Sequence, residues 1–146
     1  MLMHATSVAL KGPGQSWRAV LLRGPSGAGK SDLALRLIDT GARLIADDQT
    51  HLERKGRVLV ASAPAAIAGR MEVRGIGIVR LTRTQLIARA PVALLVDLVP
   101  PDHVERMPEP VHEVQEDITL PLLALAPFEI SALAKLRLAL RQIANA

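Results

Sequence analysis

Gly24-Pro25-Ser26-Gly27-Ala28-Gly29-Lys30-Ser31 fits the pattern G-x-x-x-x-G-K-[ST], and the apolar run Ala19-Val20-Leu21-Leu22 stands directly before it. A strand, a glycine-rich turn and a helix start in that order make a loop whose backbone N–H groups converge on a phosphate. In such a loop the lysine reaches the β- and γ-phosphates and the serine hydroxyl ligates Mg²⁺. The helix that opens there adds its positive dipole end. A glycine-rich turn can carry a lysine by chance, but here the right residues stand between a strand and a helix, so the chain reads as a nucleotide binder.

Working outward, Val8-Ala9-Leu10 and Trp17 to Arg23 flank Lys11-Gly12-Pro13-Gly14, which predicts two strands joined by a tight turn ahead of the loop. Leu33, Ala34, Leu37 and Ile38 fall on one face of a helix from Ser31 to Thr40, with Gly41 as a left-handed stop. Arg43 to Ala46 returns as a strand ending in Asp47-Asp48. Leu52 to Ser62 reads as a hairpin turned at Lys55-Gly56, and Pro64 to Gly69 as a loop. In Met71-Glu72-Val73-Arg74-Gly75-Ile76-Gly77-Ile78 the two glycines predict a backbone that lies close to another group. Thr82 to Ala88 reads as a short helix and Val92 to Val99 as a buried strand. Pro100-Pro101 ends that strand, and the acidic segment to Asp117 reads as exposed. Leu133, Leu136, Leu140 and Ile143 predict a final amphipathic helix. The expected architecture is an α/β mixed sheet with several hairpins and few helices around a P-loop, one domain over residues 1–146.

With 49% apolar and 22% charged residues, the chain has the balance of a soluble globular domain. No apolar run approaches the roughly 18 to 20 residues of a membrane span, and the start Met1-Leu2-Met3-His4 lacks a charged segment followed by an apolar signal core. A cytoplasmic protein with no membrane contact is the expectation. The absence of cysteine excludes disulfides, thiolate chemistry and Cys-based zinc, so a metal must sit on oxygen or imidazole. The net charge of +4 is unevenly spread: residues 1–96 carry 14 Lys/Arg against 6 Asp/Glu, whereas 97–117 carry 7 acids and one arginine. One Trp, one Phe and no Tyr leave little to stack bases on, so nucleic acid is not the expected partner. The basic charge is read as serving phosphate and an acidic protein partner.

A P-loop supplies charge and position, so the chemistry depends on which carboxylates meet the γ-phosphate. Asp97 ends the apolar run Ala93-Leu94-Leu95-Val96 and could bind Mg²⁺ through water, or equally be a strand-end acid in a turn. Asp47 and Asp48 close the strand that follows the P-loop helix, whose carboxyl end opens beside the phosphates in a parallel sheet. Adjacent acids in a strand point to opposite sides, so only one of them need face the site. Glu72, between Arg70 and Arg74, is chemically coherent as a metal acid beside phosphate-binding arginines, although Glu-x-Arg is also common on exposed strands.

The P-loop, the spacing from Ser31 to Arg43-Leu44-Ile45-Ala46-Asp47-Asp48, and above all Met71 to Ile78 resemble the catalytic domain of bacterial HPr kinase/phosphorylase. The resemblance runs from His4 to Val79 and fades beyond. It implies an enzyme that uses ATP and Mg²⁺ to phosphorylate a serine of HPr, the small phosphocarrier of the sugar phosphotransferase system. It further implies that Asp48 is the general base for that serine, with His4 beside it. Lys30 would neutralise phosphate charge, Ser31 and Glu72 would hold Mg²⁺, and Arg106 in Val104-Glu105-Arg106-Met107 would match a catalytic arginine. Asp47, Arg74, Gly75 and Gly77 lie in the matching motifs. Family members are hexamers, which makes a homo-oligomer an expectation.

Two departures from the family pattern stand out. Its members carry an N-terminal domain before this one, so the chain is expected to be a short form without regulation through that domain. They also have a basic loop, Pro-x-Arg/Lys-Pro-Gly-Arg, tied to phosphorolysis of phosphoserine. Leu120-Pro121-Leu122-Leu123-Ala124-Leu125-Ala126-Pro127-Phe128 stands in its place without a cation. Weak or absent phosphorylase activity follows, because free phosphate would lack its counter-charge. Two other readings stay open on the residues alone: a P-loop small-molecule kinase with Arg80, Arg83 and Arg89 as its lid, and a non-catalytic ATP-binding sensor.

Overall fold

Alternating apolar residues on both faces of two neighbouring strands set the centre of the molecule. In the computed structural model, which describes residues 1–144, the chain runs β1 (Leu2–Met3), β2 (Thr6–Lys11), β3 (Trp17–Arg23), α1 (Lys30–Asp39), β4 (Arg43–Ala46), β5 (Thr50–Lys55) and β6 (Val58–Ser62). It continues with β7 (Arg70–Val73), β8 (Gly77–Arg80), β9 (Arg89–Leu98), β10 (Val111–Gln115), β11 (Ile118–Leu125) and α2 (Ala132–Ala144). The last two residues of the expected domain lie outside the described residues.

The main sheet has the order β1-β5-β6-β9-β3-β2-β4, and β11 with its hairpin partner β10 continues along β9 beyond β6. Among the described strands, β3 with β9 and β9 with β11 pair in parallel and the other pairs are antiparallel. Val20, Leu22, Leu94 and Val96 face α1 and α2, where they bury Leu33, Leu37, Leu136 and Leu140. The opposite face of the same strands, Ala19, Leu21 and Leu95, is covered by Leu52 and Leu59 as β5 and β6 curl over it. The central strands are therefore buried on both sides, which is why their sequence is an unbroken apolar run. Each fully buried leucine contributes about 1.5–3 kcal/mol.

Since β2 is antiparallel to both β3 and β4, the latter two run in the same direction with β2 between them. Their carboxyl ends thus emerge on one side of the sheet: the P-loop after β3 and Asp47-Asp48 after β4. Helix α1 ends as expected, with Gly41 at φ 108 donating to the Ile38 carbonyl.

Two local expectations need correction. Thr82–Ala88 forms only a single 3₁₀ turn, Arg83–Gln85, because Leu86 and Ile87 leave it to pair with Leu44. Gly75 and Gly77 do not admit a neighbouring group: a Cβ at either would meet open space. Their φ values of 89 and 114 instead turn the β7–β8 hairpin, a conformation that costs other residues strain.

Candidate functional site

The loop between β3 and α1 closes on itself. Gly27 and Gly29 take φ 83 and 102, and the Ala28 N–H donates to the Pro25 carbonyl. At Gly24 packing demands glycine as well, since a Cβ there would lie 2.8 Å from Cβ of Ala28, whereas at Gly29 the demand comes from φ, its 2.8 Å neighbour being the tip of the exposed Phe128 ring. Lys30 is buried, and its Nζ donates to the carbonyls of Gly24 at 2.6 Å and Pro25 at 3.2 Å. The ammonium is thereby held against the backbone of its own loop.

The paired aspartates divide as strand geometry requires. Asp47 is buried. Its Oδ1 accepts from the Ser31 hydroxyl at 2.8 Å and from Thr6 Oγ1 at 3.2 Å, and its Oδ2 accepts from the Glu72 N–H at 2.9 Å. One carboxylate therefore joins the P-loop helix, the β2 strand and the β7 hairpin. Asp48 turns the other way, at φ 67, with its N–H donating to Thr6 Oγ1 and its Oδ1 2.7 Å from His4 Nε2. Both side chains of the His4–Asp48 pair are more than half exposed, 58% and 63%. Lys30, Ser31, Asp47, Asp48, His4 and the backbone of Glu72 thus meet at one end of the sheet.

Other candidates are less engaged. The side chains of Glu72 and Arg74 are exposed. Arg106 lies in the exposed segment after β9 and has no hydrogen bond or ion pair with the described residues. Asp97 belongs to a different face. Its parity matches that of Leu95, opposite α1, and it pairs with Arg23 at 2.8 Å. The same guanidinium donates to both carboxylate oxygens of Glu113, at 2.6 and 3.0 Å. Those bonds hold the Glu113 carboxyl below its ordinary pKa and raise that of Arg23. Asp97 is a structural partner of Arg23 in this arrangement.

Two contributors escaped the sequence reading. Thr6 is fully buried and bridges both aspartates; its signal is a hydroxyl pair, Thr6-Ser7, directly before the apolar Val8-Ala9-Leu10. Phe128, 69% exposed, and Leu98 help line a mostly apolar cleft of about 530 Å³ against Pro25 and Ser26 of the P-loop. Arg36 of α1 donates to the Pro127 carbonyl and fixes that wall.

A strand, a glycine-rich loop closed over a buried lysine, and an acid on the loop serine define a P-loop domain built on a mixed sheet. The family model described as HPr Serine kinase C-terminal domain matches residues 1–119, and the chain belongs to that family. The match extends past Val79, where the motifs alone fade. An HPr kinase/phosphorylase of an Exiguobacterium species is 45% identical over 78 residues, 53% of this chain and 24% of the relative. That of Lactobacillus acidophilus is 38% identical over 102 residues, 66% of this chain and 30% of the relative. The chain thus spans less than a third of the length of these curated relatives, 24% and 30%. The solved structure of the Hpr(Ser) kinase/phosphatase from Coxiella burnetii superposes with a TM-score of 0.78 at 25% identity, covering 99% of this chain and 94% of that one. No helix among the described residues is long and apolar enough to cross a membrane.

Proposed function

We propose that this protein is a cytoplasmic serine kinase that transfers the γ-phosphoryl group of ATP, with Mg²⁺, to a seryl hydroxyl of an HPr-type phosphocarrier. The observation that carries this reading is the exposed His4–Asp48 pair at the same sheet end as Lys30 and the Ser31–Asp47 bond. A carboxylate open to solvent suits a serine presented on a protein surface, whereas a small-molecule kinase must enclose its acceptor from water.

The donor set fits a magnesium ion. Among the described residues no three His, Cys, Asp or Glu side chains gather as a metal cage. Mg²⁺ takes one or two protein carboxylates and completes its shell with water and phosphate oxygens. Ser31, Asp47 and Glu72 would supply the protein share, and the ion would neutralise charge on the β- and γ-phosphates. Lys30 adds a second positive charge to those oxygens. Asp48 accepts the proton of the attacking serine hydroxyl as its oxygen bonds to phosphorus and the bond to the β-phosphate oxygen breaks. His4 orients the Asp48 carboxylate through its Nε2. The apolar cleft beside Pro25 and Phe128 has the character needed for the base of the nucleotide.

Replacing Asp48 with alanine tests the reading: a kinase loses phosphoryl transfer and keeps nucleotide binding, whereas a non-catalytic sensor loses neither. The cation-free stretch Leu120–Phe128 supports weak or absent phosphorolysis. Rapid release of pyrophosphate from phosphoserine carrier and phosphate would contradict that part.

A further inference from the structure

We infer that the protein has a second anion site, at the far end of α1 from the P-loop, that takes a compact polyanion carrying phosphoryl groups. A cavity of about 460 Å³ opens there, within the roughly 300–1,000 Å³ of small-ligand sites. Lys11, Arg43, Arg137 and Arg141 line it together with Trp17, and no carboxylate does. None of these four cations forms an ion pair among the described residues, although Asp39 ends the adjacent helix. Concentrating like charge in a concave site without counter-charge raises the local potential and draws in anions.

Trp17 holds the arrangement. Lys11 Nζ lies 5.3 Å and Arg43 Cζ 4.9 Å from its ring centroid, so the indole packs against two of the cations and an anion that neutralises them changes its surroundings. Four cations around a single aromatic ring suit a compact polyanion. Arg137 is anchored by donating to Thr40 Oγ1 at 2.6 Å, which leaves the rest of its guanidinium for a ligand. Arginine forks match phosphoryl oxygens in pairs. The ten-residue α1 separates this cavity from Lys30 by about 15 Å, so the site is independent of the P-loop.

Trp17 is the sole tryptophan, and the chain has no tyrosine, so intrinsic fluorescence reports on this cavity. Inorganic pyrophosphate would be titrated at fixed ionic strength into the intact chain, into Lys30→Ala, and into the Lys11→Gln/Arg141→Gln pair. A saturable fluorescence change that survives in Lys30→Ala and weakens at least tenfold in the double variant is expected. No saturable change, loss of the change in a folded Lys30→Ala, or unaltered affinity in the double variant would overturn the inference. Lys11 and Arg141 are surface residues, so that pair decides the matter even if buried Lys30 cannot be replaced.

Discussion

His4 Nε2 and Asp48 Oδ1 lie 2.7 Å apart although 44 residues separate them, because β1 pairs with the start of β5 and brings the chain terminus to the end of β4. If His4 orients Asp48, then His4→Ala should lower the turnover of the transfer reaction by about tenfold. The loss in Asp48→Ala should be the larger, about 10²–10⁴-fold for a general base. Steady-state kinetics on both variants checks the order, and equal losses would assign His4 a proton-transfer role of its own.

Asp47 satisfies three donors from three elements, so its loss should be felt in stability as well as in binding. Asp47→Ala leaves the Thr6 and Ser31 hydroxyls and the Glu72 N–H without that acceptor. It should cost about 1–3 kcal/mol for each group that stays buried and unpaired. Urea unfolding and calorimetric titration with Mg-ADP measure the two effects. An Asp47→Asn variant, which keeps one acceptor oxygen, should recover part of the stability and little of the Mg²⁺-dependent affinity.

Phe128 is exposed at the apolar cleft and contributes little to the core. Phe128→Ala should therefore leave the melting temperature nearly unchanged and weaken ATP binding by about 3–10-fold, the equivalent of a lost aromatic contact of roughly 0.5–1.5 kcal/mol. The change should appear in KM with kcat preserved, and a fall in kcat alone would show that the base sits elsewhere.

Glu113 links the β10–β11 hairpin to Arg23 at the end of β3. Its carboxyl is held below the ordinary value of 4.5 chiefly by the Arg23 hydrogen bonds. A lowered folded-state pKa means that the stabilisation is present above that value and disappears as pH falls through the folded one. Glu113→Gln should cost up to about 1 kcal/mol near neutrality, given that the pair is partly exposed. The gap to the parent protein should close as the pH drops below 4.5. Denaturant unfolding from pH 3 to 7 measures it, and a gap independent of pH would assign the effect to packing.

Much of this was legible locally. The P-loop, α1 with its Gly41 stop, the hairpin before the loop and the apolar run of β9 follow from periodicity and turn chemistry within a few residues of each other. Helix α2 followed from Leu133, Leu136, Leu140 and Ile143 in the same way. The division of labour between Asp47 and Asp48 was half visible, since strand alternation predicts that they part but not which one meets Ser31. Thr6 reaching Asp47 across 41 residues, and Arg23 reaching Asp97 and Glu113 across 74 and 90, rest on strand order, which no local pattern carries. Asp97 was ambiguous for that reason. Gly75 and Gly77 face open space within this chain and turn the β7–β8 hairpin at positive φ; a turn of that kind and a close approach of backbone call for the same residue, so local sequence does not tell them apart.

Incubation of the purified protein with Mg-ATP and a panel of HPr-type phosphocarriers, read by intact mass, tests the kinase assignment most directly. The account predicts a gain of one phosphate on a serine of a carrier, abolished by Asp48→Ala while nucleotide binding persists. Tight ATP binding with no transfer to any carrier, or transfer that survives Asp48→Ala, would contradict it.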